Sequence, residues 1–513
     1  AGAISVAACA VIPDSEAPMR THATASASAE ARTRAALDRI EALNPRLNAV
    51  IAVDPTALDQ ARALDAAGQR GPLFGMPMLI KDNIETLGPL PTTAGSLALA
   101  DNVTNRDAPL VARLRRNGAV IVGKANLSEW ANIRSSDSIS GWSAVGGQTR
   151  NPHALNRNPC GSSSGSAVAV AAGMVPAAIG TETDGSITCP AAMNGIVGFK
   201  PSVGLVSRTH VVPISHSQDT PGPMTRTVRD AALIMNAIAG SDPADPATAE
   251  ADARRVDYAA ALSRDALRRR RIGVMRFAAG FGTDAAFEEA LAVLAAQGAE
   301  LVEIREFPGN RGEIGRNEIV VLLAELKHDM NAYLATLPAG VRTRTLADLI
   351  AFNREHAETE MALFGQDLFE RAEATGGLDD SWREARETSL RLAGAEGIDR
   401  LLAEHDVVAL IGPTRPAAWL IDAVHGDQSP GGGGAGSLAA VAGYPHLTVP
   451  MGAVRGLPVG LSFIGPKWSD GLVLALGYAY EQASRRRVAP RFLDSVETSE
   501  EVAPHLRPLS RRD

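Results

Sequence analysis

Cysteine is scarce. The 513-residue chain has only Cys9, Cys160 and Cys189, an odd and sparse set that makes no disulfide framework. A local pair of Cys160 and Cys189 is conceivable, but two small buried thiols are the expected state. Long apolar runs are also missing, so no membrane span is expected. Neither sign of charge dominates: 50 Lys plus Arg against 58 Asp plus Glu give a net of −8. That balance argues against a nucleic-acid surface. Local basic clusters, Arg268 to Arg271 and Arg485 to Arg487, are expected to be solvated helix ends or loop edges. Metal signatures are absent too. There is no His-Glu-x-x-His and no paired Cys-x-x-Cys, and the ten histidines are scattered. No metal and no cofactor are therefore expected.

What is present is an ordinary globular composition, 45% hydrophobic and 21% charged, enough for a sizeable core. Strand-like and helical patterns alternate. Met76 to Ile80, Ala119 to Gly123, Gly195 to Phe199, Arg271 to Val274, Ala299 to Ile304, Val407 to Ile411, Leu447 to Met451 and Gly460 to Ile464 read as strands. Between them lie helical patterns such as Ala29 to Leu43, stopped by Asn44-Pro45, and Thr225 to Ala239. Pro213 to Pro223 reads as a turn-rich loop. The alternation predicts an α/β chain built on a central sheet. The expected organisation is an N-terminal lead-in over 1–28, one large domain over 29–490 and a polar tail over 491–513. A helical, cap-like insertion is expected at about 315–400. The small apolar start, which lacks an initiating Met, reads equally as a signal remnant or a trimmed start. The former predicts export to the periplasm or cell envelope, the latter a cytoplasmic protein.

Asn158 to Ile187 is the unusual stretch. Two Ser/Gly-rich turns, Cys160-Gly161-Ser162-Ser163-Ser164-Gly165-Ser166 and Gly180-Thr181-Glu182-Thr183-Asp184-Gly185-Ser186, flank a small apolar segment. Gly161 to Gly165 formally fits the G-x-S-x-G nucleophile elbow, which would make Ser163 the nucleophile. That elbow needs a buried strand before it, and here the preceding residues are polar and broken by Pro159. Gly431 to Gly436 fits G-x-G-x-x-G but follows no strand, so it reads as a loop. A serine hydroxyl needs a base in contact. Lysine serves only when neutral, a state that burial favours. Lys81, ending an apolar strand, is a candidate; taken alone it reads as a snorkelling surface lysine. The second turn can aim successive N–H groups at a developing oxyanion.

The motifs together resemble the amidase signature family. Phe74-Gly75-Met76-Pro77-Met78-Leu79-Ile80-Lys81-Asp82-Asn83 is similar to its lysine motif, and the two turns resemble its Ser/Gly and nucleophile motifs. Gly123-Lys124-Ala125-Asn126, Gly198-Phe199-Lys200-Pro201 and Asp219-Thr220-Pro221-Gly222-Pro223-Met224 also match, and the resemblance runs in order from about residue 29 to 485. It implies a large single domain with a central mixed β-sheet flanked by helices. It also implies a Ser–cis-Ser–Lys triad: Ser186 as nucleophile, Ser162 as bridge and Lys81 as base. The oxyanion hole would be the N–H groups of Thr183, Asp184, Gly185 and Ser186. Ser136 falls where relatives line the substrate pocket. The branch most resembled is the bacterial peptide amidases, which remove the C-terminal amide of peptides. Asp184 and Thr188, where Gly and Arg are commoner, fit that branch better than the tRNA-linked amidotransferases. The implied partner is a small-molecule or peptide amide, with no obligate protein partner. Aryl amides, carbamates or esters are the alternative substrates. A glutaminase subunit of an amidotransferase complex is the alternative of another class.

Overall fold

The computed structural model describes residues 28–68, 70–430 and 434–508. Residues 1–27 of the lead-in, with Cys9, part of the Gly431 to Gly436 run and the last residues of the tail lie outside the described residues. Thirteen strands occur among the described residues: β1 (Val50–Val53), β2 (Pro77–Lys81), β3 (Val120–Ala125), β4 (Trp142–Ser143), β5 (Gly147–Gln148), β6 (Ala177–Glu182), β7 (Val197–Lys200), β8 (Thr220–Thr225), β9 (Arg271–Met275), β10 (Glu300–Ile304), β11 (Ala409–Pro413), β12 (His446–Val454) and β13 (Leu457–Ile464). Strands β4 and β5 pair with each other; the other eleven form one sheet in the order β1-β3-β2-β6-β8-β7-β12-β13-β11-β9-β10. Strands β3, β2 and β6 are parallel, as are β11, β9 and β10, while the strands between are antiparallel. The sheet is mixed, and its flanking helices make the chain an α/β domain.

Period-two alternation splits the core. Met78 and Ile80 of β2, Ile121 of β3, and Ala177 and Ile179 of β6 face one cluster, which continues through Ile272, Ile411, Leu447 and Phe463. The helices Val228–Ile238 and Asp470–Ser484 cover it. Leu79, Val120, Val122 and Ala178 face the other side, against the helix Ser164–Ala171. That helix is buried at every residue. Its contact is close because Gly165 has no side chain: a Cβ there would stand 2.2 Å from the Ala49 carbonyl oxygen. A third cluster belongs to the helical segment, where Leu326, Leu334, Leu349 and Phe369 pack against Trp130 and Ile214.

Two local expectations fail. The first helix runs through Asn44-Pro45 to Leu47, where Asn48 in the left-handed region ends it with an N–H bond to the Asn44 carbonyl. Proline in the last turn removes only one hydrogen bond, so the helix survives it. The loop expected over 213–223 ends in β8, a buried strand near the centre of the sheet. Pro221 and Pro223 delete ladder donors, but β7 pairs only with Met224 and Thr225. The prolines therefore leave no partner unsatisfied on that side. No helix among the described residues is long and apolar enough to cross a membrane. Arg268 to Arg270 and Arg485 to Arg487 are exposed as expected, whereas Arg271 is half-buried as the first residue of β9.

Candidate active site

Parallel pairing brings the carboxyl ends of β2 and β6 together, where open α/β sheets hold their ligands. Strand β2 ends in Lys81 and β6 in Thr181-Glu182. Lys81 does not snorkel: it is wholly buried. Its Nζ lies 2.7 Å from Ser162 Oγ, 2.7 Å from Thr181 Oγ1 and 3.3 Å from the Thr181 carbonyl oxygen. Asn83 Nδ2 also donates to Thr181 Oγ1, at 3.0 Å. A neutral amine has two N–H groups and one lone pair. The two Thr181 oxygens satisfy the N–H groups, and the lone pair is left facing the Ser162 hydroxyl. Burial pulls the Lys81 pKa down to about 7, against the pull of the Asp219 and Glu182 charges.

Two other lysines are wholly buried, and neither is placed like this. Lys124 is ion-paired with Asp82 at 3.3 Å and donates to the Ile84 carbonyl and Thr92 Oγ1. Lys200, lowered by burial to about 8, donates to the Pro201 carbonyl and meets no hydroxyl among its described hydrogen bonds. Among the described residues, no carboxylate lies in ion-pair range of Lys81, so Lys81 alone combines a lowered pKa with a serine contact.

The first turn carries a cis peptide bond between Gly161 and Ser162, and Ser162 is fully buried. The next N–H, from Ser163, donates to the Ser186 carbonyl at 3.1 Å, which ties the two turns together. Ser163 itself is spent on structure: its Oγ donates to the Thr181 carbonyl and accepts from the Thr181 N–H. The geometry thus excludes the elbow reading of Gly161 to Gly165.

The second turn is held by a residue that the motif reading passed over. Glu182 Oε2 accepts from the N–H groups of Ile187 and Thr188 and from the Thr188 hydroxyl. Thr188 therefore fills a defined place at the start of the helix Thr188–Asn194. Asp219 supports the turn from the other side. It accepts from the Thr183 hydroxyl at 2.6 Å and from the N–H groups of Ile214 and Ser215, and burial raises its pKa to about 6. Among the described residues, the N–H groups of Thr183, Asp184, Gly185 and Ser186 meet no protein acceptor. Gly185 has φ +80°, and a Cβ there would stand 2.9 Å from Arg415 Nη2. Glycine is needed both for the turn and for that approach.

Ser186, 8% exposed, lines a cavity of about 310 Å³ together with Thr183, Asp184 and Gly185. Ile214, Leu322 and Trp419 supply apolar wall, and Asn132, Ser140, Asp427 and Arg415 supply polar groups. Lys81 and Ser162 are buried and stand outside the cavity lining. Asp427 is occupied by Asn158, Ser140 and Trp419. Arg415 makes no hydrogen bond or ion pair among the described residues, although its charge reaches Asp184. Burial pushes the Asp184 carboxyl up, and burial together with the Asp184 charge pushes that of Glu318 well up. Ser136 stands outside the lining: its hydroxyl and N–H both donate to Asp367. Arg415 and Trp419, which do line the cavity, carried no readable signal, because they come from a loop some 230 residues after Ser186.

The cysteines also differ from expectation. Cys160 and Cys189 form a disulfide that lines the same cavity. The tie between the two turns sets their Cα atoms 6.0 Å apart, within bridging range. The local pair that the sequence left conceivable, across 29 residues, is the one that forms, in place of the two free thiols expected. The buried histidines are packing residues: His153 meets the Asn194 carbonyl and His446 the Ser462 hydroxyl.

Residues 31–474 match the sequence model of the Amidase family. A probable amidase of Arabidopsis thaliana is 40% identical over 470 residues, covering 89% of this chain and 87% of the relative. The solved structure of native peptide amidase from Stenotrophomonas maltophilia is 51% identical, with a TM-score of 0.86 and coverage of 91% of this chain and 96% of that one. A glutamyl-tRNA(Gln) amidotransferase subunit of Roseiflexus castenholzii is 39% identical over 477 residues, covering 88% of this chain and 92% of the relative.

Proposed function

The chain belongs to the amidase family and is an amide hydrolase; we propose that it removes the C-terminal amide of peptides, releasing ammonia, through Ser186, Ser162 and Lys81. One observation carries the reading. A wholly buried lysine, with no carboxylate partner among the described residues, lies 2.7 Å from Ser162 Oγ, beside a turn whose N–H groups are unspent.

In this mechanism neutral Lys81 takes the Ser162 proton while Ser162 takes that of Ser186. Ser186 Oγ attacks the amide carbonyl carbon, and the carbonyl oxygen takes the negative charge. The N–H groups of Thr183 to Ser186 stabilise it; one such donor is worth about 3–4 kcal/mol in a well-studied hydrolase. Ser162 then gives a proton to the leaving nitrogen, and ammonia departs. Water cleaves the acyl-serine by the reverse relay, leaving the peptide acid.

The substrate class is supported by the likeness to peptide amidase at 51% identity and by the cavity. Arg415 offers unspent donors to a peptide carbonyl, and Trp419, Leu322 and Ile214 offer apolar wall to a side chain. Leu322 comes from the helix Arg311–Ala335, which supports a specificity role for the cap-like segment at about 315–400. The disulfide supports an oxidising setting outside the cytoplasm. The test is ammonia release from an amidated dipeptide, with an anilide, a carbamate and free glutamine in parallel. Preference for the peptide amide by the lone chain is expected. Preference for glutamine would favour the amidotransferase reading, which the Roseiflexus relative motivates.

A further inference from the structure

A group of side chains that the proposed reaction does not use joins the 213–219 loop to the helix Arg311–Ala335. His216 Nδ1 lies 3.0 and 2.9 Å from the two Asp329 carboxylate oxygens, and His328 Nδ1 lies 2.8 Å from one of them. One ligand atom from each of the three residues falls within 4.8 Å of the others. The histidine side chains are 41% and 55% exposed and that of Asp329 13%, so an ion has a way in.

Behind this group stands Glu325, fully buried. It is held by Ser215 Oγ, by the N–H and hydroxyl of Ser217 and by Trp382 Nε1. Its Oε1 lies 3.3 Å from His216 Nε2. Both ring nitrogens of His216 thus face carboxylates, Nδ1 that of Asp329 and Nε2 that of Glu325. With the ring proton on Nε2, the Nδ1 lone pair and the Asp329 carboxylate can share one cation; with a second proton on Nδ1, the same contact is an imidazolium–carboxylate pair.

We propose that His216 Nδ1, His328 Nδ1 and the Asp329 carboxylate bind a divalent transition-metal ion of the zinc class, with Glu325 as the outer carboxylate that orients His216. Two imidazoles and one carboxylate suit zinc and are a poor match for magnesium or calcium, which prefer oxygen ligands. An outer carboxylate on a ligating imidazole fixes its tautomer and raises its basicity. The ion braces a loop that matters to the site: Gln218 Nε2 donates to the Thr183 carbonyl, and Asp219 accepts from the Thr183 hydroxyl. The role is structural, and the sequence hid it because His216 and His328 are 112 residues apart.

The test is calorimetric titration of zinc chloride into untagged, chelator-treated full chain, with thermal unfolding read in parallel. One zinc per chain is expected, together with a raised unfolding temperature. Affinity should fall at least tenfold in both His328→Ala and Asp329→Asn, with the thermal shift lost. His328→Ala leaves the Glu325 contacts in place and so guards against misfolding as the cause. No zinc uptake, or uptake unchanged in both variants, overturns the proposal and leaves an imidazolium–carboxylate pair.

Discussion

The acid side of the pH–rate profile should report Lys81. Two effects compete there. Burial favours the neutral amine, and the Asp219 and Glu182 charges favour the ammonium; burial wins, and the pKa falls from 10.5 to about 7. An unperturbed lysine is less than about 0.1% neutral at pH 7, whereas Lys81 is about half neutral there. If only the neutral form relays the proton, kcat/KM for an amidated dipeptide falls about tenfold between pH 8 and pH 6. Asp219→Asn sharpens the test. It removes the largest charge opposing burial yet keeps a group able to bond Thr183 and the N–H groups of Ile214 and Ser215. With the anion gone the ammonium is less favoured, so the midpoint moves to lower pH, by roughly one unit. Ammonia release measured from pH 5 to 9 in both proteins decides the matter. A profile flat across that range, or a midpoint that Asp219→Asn moves upward, would refute the reasoning.

Three further outcomes are expected. Ser162→Ala removes the relay between Lys81 and Ser186 and should lower kcat by about 10²- to 10⁴-fold, with KM little changed in steady-state assays. Arg415→Ala removes the unspent cation beside Gly185; it should raise KM for peptide amides roughly tenfold or more with kcat largely kept. A small amide without a second carbonyl should not feel the change. Replacing Cys160 and Cys189 together by Ala opens a cross-link spanning 29 residues. Denaturant unfolding should show a loss of roughly 2–4 kcal/mol.

The site was legible where chemistry and order coincide. Lys81, Ser162 and Ser186 each sit in a motif, and the structure brings Lys81 against Ser162 and ties the turn of Ser162 to that of Ser186. The apolar runs of β2 and β3 were legible as strands, each sending alternate residues to one cluster and the rest to the other, whereas β6 was hidden within the small apolar segment between the two turns. What failed depended on neighbours distant in sequence. Lys81 looked like a surface lysine until Thr181 and Ser162 gave its nitrogen partners. Strand β8 was hidden by prolines that only the short pairing with β7 makes harmless. The disulfide needed the two turns to meet, and Ser136 was drawn to Asp367, some 230 residues away. Glu182 gave no signal as a brace, since a carboxylate turned back on the next N–H groups looks like any other in sequence.

The central claim is that Ser186 becomes acylated with Lys81 and Ser162 behind it. Mass spectrometry of protein mixed with an amidated peptide and quenched in acid tests this most directly. The account predicts a mass gain equal to the peptide less ammonia, on the fragment containing Ser186. The adduct should be absent from Ser186→Ala, together with a loss of turnover of about 10³-fold or more. An adduct on another residue, or full turnover by Ser186→Ala, would contradict it.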